Sequence, residues 1–221
     1  MLLPTGLYIT GGALAVALSF AVMAFLPAIR IPEPEIVERE APRWPSLVSF
    51  LLLVLLLVAG WAGSRDPLDN PLPLAVWTLW WVGFTFLHAV FGNLWAALSP
   101  WRWMAFRGIR PMPGDAWPAV ALFFCFAWFE LIYPAPFDPE RLAWAVLGYA
   151  LLTTAATALF GRAWLERGEA FSVFFGMVSR LAPPWRRLLR GESLPASLVA
   201  FVLLALATVS FDGLSRTFWW L

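Results

Sequence analysis

The sequence predicts an all-α fold: a polytopic transmembrane helix bundle of about six spanning helices plus one interfacial or re-entrant helix. Three observations predict it. Six apolar segments run through the 221 residues, each long enough to carry a helix across a hydrocarbon core of about 30 Å. The chain is 61% hydrophobic and 13% charged, a balance that excludes an ordinary water-soluble domain. The arginines also fall almost entirely into alternate loops, as they do in an oriented membrane protein.

The first segment, Gly6–Ala28, has no Lys or Arg before it. It therefore lacks the basic region of a cleavable signal and is expected to be a retained helix. Gly11, Ala15 and Ser19 give it a row of small residues for close helix approach. A linker extended by Pro32 and Pro34 leads to the second segment, Pro45–Gly63. The third, Leu72–Phe91, places Thr78, Trp81, Thr85 and His88 at spacings of 3, 4 and 3. On a regular α-helix that is one polar face, turned to protein or to a water-filled cleft.

The fourth segment, Trp117–Tyr133, holds the single cysteine, Cys125, read as packing among Phe123, Phe124 and Phe126. One cysteine excludes an intrachain disulfide and a cysteine metal cage. The fifth, Leu142–Phe160, runs into a second small-residue row of Thr153, Thr157 and Gly161. Residues 164–182 follow, with Phe171, Phe174, Phe175, Val178 and Leu181 at helical spacing. That suits a helix lying in the interface or packing under the bundle; the alternative is a re-entrant hairpin lining a cavity. The sixth segment, Pro195–Phe211, meets Asp212-Gly213, which reads as a helix-ending turn. One integral-membrane domain, 1–221, is expected.

Orientation follows from the arginines. Twelve of the fifteen basic residues lie in the odd-numbered loops: Arg30, Arg39 and Arg43; Arg102, Arg107 and Arg110; and six between Arg162 and Arg190. Arg65, Arg141 and Arg216 make up the rest. The odd loops are then cytoplasmic and both termini outside, in a bacterial cytoplasmic (inner) membrane. Trp44, Trp61, Trp101, Trp103, Trp117, Trp185, Trp219 and Trp220 sit at segment ends, where headgroup-level indoles are expected. Trp77, Trp80 and Trp81 lie deeper, as packing or pocket residues. The lipid bilayer is the first partner. Arginines facing anionic headgroups make nucleic acid no partner.

Polar groups at membrane depth mark function or a paired structural role. Glu130 and Asp212 fall at the outer ends of their segments, where a carboxylate can bind a metal, act as a base or pair with a neighbour. The plain alternatives are a bond from Glu130 to an adjacent helix or Tyr133, and a capping turn at Asp212. His88 and Asn93 fall toward the cytoplasmic side. A single histidine excludes a bis-histidine haem and any zinc HExxH site. No Gly-rich phosphate loop and no nucleophile elbow is present.

Four stretches together carry a resemblance. They are Phe91-Gly-Asn-Leu-Trp-Ala-Ala-Leu-Ser-Pro-Trp-Arg, Ala127-Trp-Phe-Glu-Leu-Ile-Tyr-Pro, Leu165-Glu-Arg-Gly-Glu-Ala-Phe-Ser-Val-Phe-Phe-Gly and Thr208-Val-Ser-Phe-Asp-Gly. Over nearly its whole length the chain resembles a family of bacterial multi-pass membrane proteins labelled fenitrothion hydrolase, a membrane-bound organophosphate hydrolase. The resemblance implies that Glu130, Glu166, Glu169, Ser172, Ser210 and Asp212 are family positions. Glu130, Asp212 and Ser210 are the resulting catalytic candidates, and His88, Asn93, Glu166 and Glu169 the binding candidates. Glu130 and Asp212 are also the metal candidates. Longer relatives continue past the Ser-Phe-Asp-Gly box, so the chain is expected to be one half of a split protein with a second membrane subunit. Hydrolysis of a phosphotriester calls for a metal-activated water or a positioned nucleophile, and a divalent metal shared with that partner is the expected cofactor. A scaffold subunit without chemistry and a transporter half are the competing expectations.

Overall fold

The computed structural model describes residues 42–105, 108–112, 114–182, 194–215 and 217. The chain divides into two units, Met1–Val37 and Glu38–Leu221. The first unit, with the expected helix Gly6–Ala28, lies outside the described residues, as do Trp185, Trp219 and Trp220.

The second unit is all-helical among the described residues. Helix α1 (Trp44–Ala62) starts with Pro45 in its first turn, where a missing N–H costs nothing. Its leucine-rich surface stays largely uncovered, with only Ser46, Leu57 and Gly60 buried. In water that would be untenable; in hydrocarbon it is the expected outer surface. Helix α2 (Pro71–Phe91) is capped by Asn70, whose Oδ1 accepts from Leu72 N at 3.0 Å. The Asn70 amide also donates to Ala59 O at 2.9 Å and Ser64 O at 2.8 Å, pinning the end of α1 to the start of α2. A short helix α3 (Trp95–Leu98) follows the Gly92 turn. Helix α4 spans Trp117–Leu131, α5 Pro139–Phe160, α6 Ala170–Val178 and α7 Ala196–Ser215.

Among the described residues, four helices are long and apolar enough to cross a membrane: Trp44–Ala62, Pro71–Phe91, Pro139–Phe160 and Ala196–Ser215. The expected span at 117–133 becomes a 15-residue helix, about 22 Å long at 1.5 Å per residue and short of a full hydrocarbon core. Pro118 and Pro134 bracket it, which sets its length. Helix α5 begins three residues earlier than the hydropathy suggests, because Asp138 caps it through Arg141 N at 2.9 Å and Pro139 opens its first turn. Helix α7 runs through Gly213 to Ser215, so Asp212-Gly213 is not its stop.

Two ends of the bundle are defined by bonds between loops. At one, Ser46 Oγ donates to Ser99 O at 2.6 Å and accepts from Trp103 N at 2.9 Å, and Arg110 N donates to Leu159 O at 2.9 Å. This end carries the arginine-rich loops. At the other, Arg65 pairs with Glu140, and Trp77 Nε1 donates to Pro136 O at 3.1 Å. Helix α4 joins the two ends. It runs parallel to α7: Ala116 N meets Ser197 Oγ at 3.2 Å, and the rings of Phe123 and Phe201 lie 4.9 Å apart one to two turns on.

Two expectations about faces change. The middle of α2, Leu74–Gly83, is wound as a π-helix, with about 4.4 residues per turn instead of 3.6. That rephases the helix, so Thr78 is exposed while His88 is fully buried, and the predicted polar stripe does not form. Cys125 is exposed on the outward side of α4 rather than packed among phenylalanines.

Within residues 164–182 the helix α6 is largely covered, while Glu166, Arg167, Arg180 and Leu181 are exposed. Ala170, Phe171, Val173 and Phe175 are buried, and the Phe171 ring sits 4.3 Å from Trp80 and 5.0 Å from Phe126. Both partners belong to α2 and α4, so α6 packs against the helices of the bundle. Trp101, expected at headgroup level, is likewise buried, against Trp95 and Tyr149. Edge-to-face ring pairs of this kind each add about 0.5–1.5 kcal/mol, and they fill the centre of the unit.

Candidate functional site

Two chain reversals build the site. Helix α2 ends at Gly92 with φ of +88°, and α5 ends at Gly161 with φ of +64°. A side chain rarely adopts this backbone, and glycine does so freely. Each reversal turns the chain back into the bundle, the first as α3 and the second as a π turn at Trp164–Gly168 leading into α6.

The two returning segments meet at Glu169. Its carboxylate is fully buried and caps α6, accepting from Phe171 N at 3.0 Å and Ser172 N at 2.6 Å. It also accepts from Trp95 Nε1 at 3.0 Å, from Ser172 Oγ at 2.6 Å and from the Tyr149 hydroxyl. Five donors meet the roughly four lone-pair sites of a carboxylate. No acceptor capacity is left for a substrate proton, so Glu169 holds the two returning segments together and to α5. A buried charge is tolerable only when paired in this way.

His88 is the second buried polar anchor. Its Nδ1 faces Phe84 O at 2.6 Å and its Nε2 accepts from Trp95 N at 2.9 Å, which assigns the proton to Nδ1. The ring stacks on Phe175 at 4.2 Å. With both nitrogens engaged, His88 positions Trp95 and is not disposed to bind a ligand.

Beside this node, at the arginine-rich end, lies a cavity of about 400 Å³, within the range of roughly 300–1,000 Å³ usual for small-molecule sites. Asn93, Ser99 and Arg102 line it from the first returning segment, and Arg162, Glu166 and Ser172 from the second. Asn93 and Glu166, two of the sequence candidates, are thus brought together; Glu169 stands one hydrogen bond behind them, through Ser172. Glu130 and Asp212 sit at the opposite end, at matching levels of the parallel α4 and α7, and Ser210 is exposed there on α7. The outer and inner candidates therefore form two separate sets.

Among the described residues no three His, Cys, Asp or Glu side chains come together to hold a metal ion. A divalent metal at Glu130 and Asp212 would need ligands from elsewhere. Sequence reasoning missed Tyr149, Ser99, Arg102 and Arg162. Tyr149, one of three tyrosines, carried a signal: a hydroxyl in the middle of an apolar span needs a buried acceptor. The other three stood in loops that hydropathy assigns to solvent.

No family model, curated protein or solved structure matches the chain.

Proposed function

We propose that the chain is an integral-membrane subunit of an organophosphate hydrolase, with the cavity at its arginine-rich end as the substrate site. One observation carries this reading. The stretch Leu165-Glu-Arg-Gly-Glu-Ala-Phe-Ser, one of those that carry the family resemblance, supplies Glu166 and Ser172 to the cavity wall and Glu169 to the node behind it. Polar side chains gathered around a half-open cavity at one end of an otherwise apolar bundle favour binding over packing. In this reading the chain's own residues bind and orient the phosphoryl group. Activation of the attacking water falls to groups contributed by a second membrane subunit, since Glu169 has no lone pair to spare.

The topology belongs to the same proposal. Six crossings place both termini outside a bacterial inner membrane and the cavity on the cytoplasmic side. Helix α4 supports this by joining the two ends of the bundle despite its 15 residues, with Trp117 exposed at its start as an interfacial anchor.

The test is hydrolysis of diethyl p-nitrophenyl phosphate by membranes carrying the chain with its co-purified partner. Glu166→Gln and Ser172→Ala each lower kcat/KM by tenfold or more, while Glu130→Gln and Asp212→Asn leave it within twofold. The reverse pattern moves the site to the outer end. A stable complex with no hydrolysis supports the second reading, a scaffold subunit, which the saturated Glu169 node also suits. A transporter half loses its support with the Thr78–His88 face.

A further inference from the structure

We infer that Ser172 is the nucleophile of this cavity: its hydroxyl attacks the phosphorus of a neutral phosphotriester and is itself phosphorylated, with Glu169 taking its proton; this rests on the cavity being the substrate site.

Ser172 is the third residue of α6, lines the cavity and is only partly covered. Its N and its Oγ both donate to Glu169 Oε2, each at 2.6 Å, which locks the side chain in one orientation. A carboxylate that meets only backbone N–H groups is ordinary capping chemistry. Here it also holds the hydroxyl proton of a residue on the cavity wall. With that proton directed inward, lone pairs are what Ser172 Oγ has left for the cavity. Glu169 is held from its other side by Trp95 Nε1 at 3.0 Å and by the Tyr149 hydroxyl. A nucleophile, a base within hydrogen-bond reach and a third group orienting the base are thus in place before anything binds.

Asn93 faces this pair. Its Oδ1 accepts from Ala96 N at 3.1 Å, which leaves its Nδ2 group as a donor. That Nδ2 lies 3.9 Å from where a Cβ on Gly176 would stand. Gly176 is four residues on from Ser172, on the same face of α6. Ser172 and Asn93 therefore border one gap, which a glycine keeps open. A phosphoryl oxygen resting on Asn93 Nδ2 turns its phosphorus toward Ser172 Oγ.

The step balances within these groups. The Oγ–P bond forms, and the bond from phosphorus to the phenolate breaks with its electron pair on the leaving oxygen. The hydroxyl proton passes to Glu169 Oε2 along the bond that already joins them, so no spare lone pair is needed. Asn93 meets the charge that gathers on the phosphoryl oxygen. A neutral triester suits such a nucleophile, since it has no anionic oxygens to repel an incoming lone pair. The product is a dialkylphosphoryl serine, and the water that releases it is the one left to the second subunit.

The test is covalent labelling. Membranes carrying the full-length chain, alone or with its partner, are treated with an ethyl fluorophosphonate, quenched in acid and digested for mass spectrometry. A stoichiometric phosphonyl adduct on Ser172 is expected, formed more slowly when diethyl p-nitrophenyl phosphate is present. Ser172→Ala removes it. Asn93→Ala and Glu169→Gln each slow labelling tenfold or more, in proteins whose melting in detergent shows the fold retained. Asn93→Ala touches neither Glu169 nor its donors, so it keeps the test decisive if Glu169→Gln does not fold. No adduct on Ser172 in the folded chain, or labelling at an unchanged rate in folded Asn93→Ala, overturns the inference. Hydrolysis that proceeds with Ser172 unlabelled leaves the hydrolase standing through direct attack by water. An adduct without turnover in the complex keeps Ser172 as the nucleophile and removes the hydrolase.

Discussion

Glu169 and Tyr149 are hydrogen-bonded between α5 and the start of α6. Replacing Glu169 by Ala strands the Trp95 indole N–H and the Tyr149 hydroxyl. Each buried donor left unsatisfied costs about 1–3 kcal/mol, so Glu169→Ala is expected to lower the melting temperature in detergent sharply. Tyr149→Phe alone costs less, and in the Glu169→Ala background it costs almost nothing or relieves the orphaned hydroxyl. A double-mutant cycle by thermal melting measures that coupling; additive effects would mean the bond contributes nothing. The sequence offered Glu169 and His88 as binding candidates, Glu169 within a stretch that carries the resemblance and His88 on a polar helix face. It did not mark their roles. A carboxylate that binds substrate and one that ties two loops together look alike until their donors are known.

Helices respond to the same logic through their glycines. Gly176 lies in α6 with open space beside it, so Gly176→Ala is expected to stabilise the protein by about 0.5–1 kcal/mol through the usual glycine-to-alanine entropy gain. Gly60 and Gly108 are opposite cases. A Cβ on Gly60 would lie 2.5 Å from Leu72 Cδ2 and 2.8 Å from Ala143 Cβ, where α1, α2 and α5 converge. One on Gly108 would lie 2.3 Å from the Phe160 carbonyl carbon. Alanine at either site is expected to cost about 1–3 kcal/mol by overpacking, read as a lower melting temperature. Apolar runs located the long helices within a few residues, since a spanning stretch needs only hydropathy to declare itself. The Asp138-Pro139 start of α5 was legible as capping chemistry but lay outside the apolar run. The π winding of α2 was not legible: ten uncharged residues with no proline after Pro73 read as ordinary helix.

At the scale of the molecule, the arginine pattern makes its own prediction. In a Cys125→Ser background, Ser64→Cys should react with an impermeant maleimide added to intact spheroplasts, and Arg110→Cys only after permeabilisation. Labelling in the opposite order would invert the topology and put the cavity outside. What hydropathy could not convey is how far the arginine-rich loops fold inward. Trp101 reads as an interfacial anchor in the sequence, and Phe171 and Phe175 as the apolar face of an interfacial helix, because an aromatic there suits a headgroup and a bundle interior equally well. Burial decides between them only once both loops are placed together, and each loop supplies the other's cover.

The bond between Trp95 and Glu169 also has a consequence in time. The two residues are 74 positions apart, and at a translation rate of about 5–20 residues per second the indole waits about 4–15 s for its acceptor to be made. During that interval the Trp95 indole N–H lacks the acceptor it has in the folded protein. Folding of this end is therefore gated by synthesis. A nascent chain halted before residue 169 lacks the acceptor that joins the two returning segments.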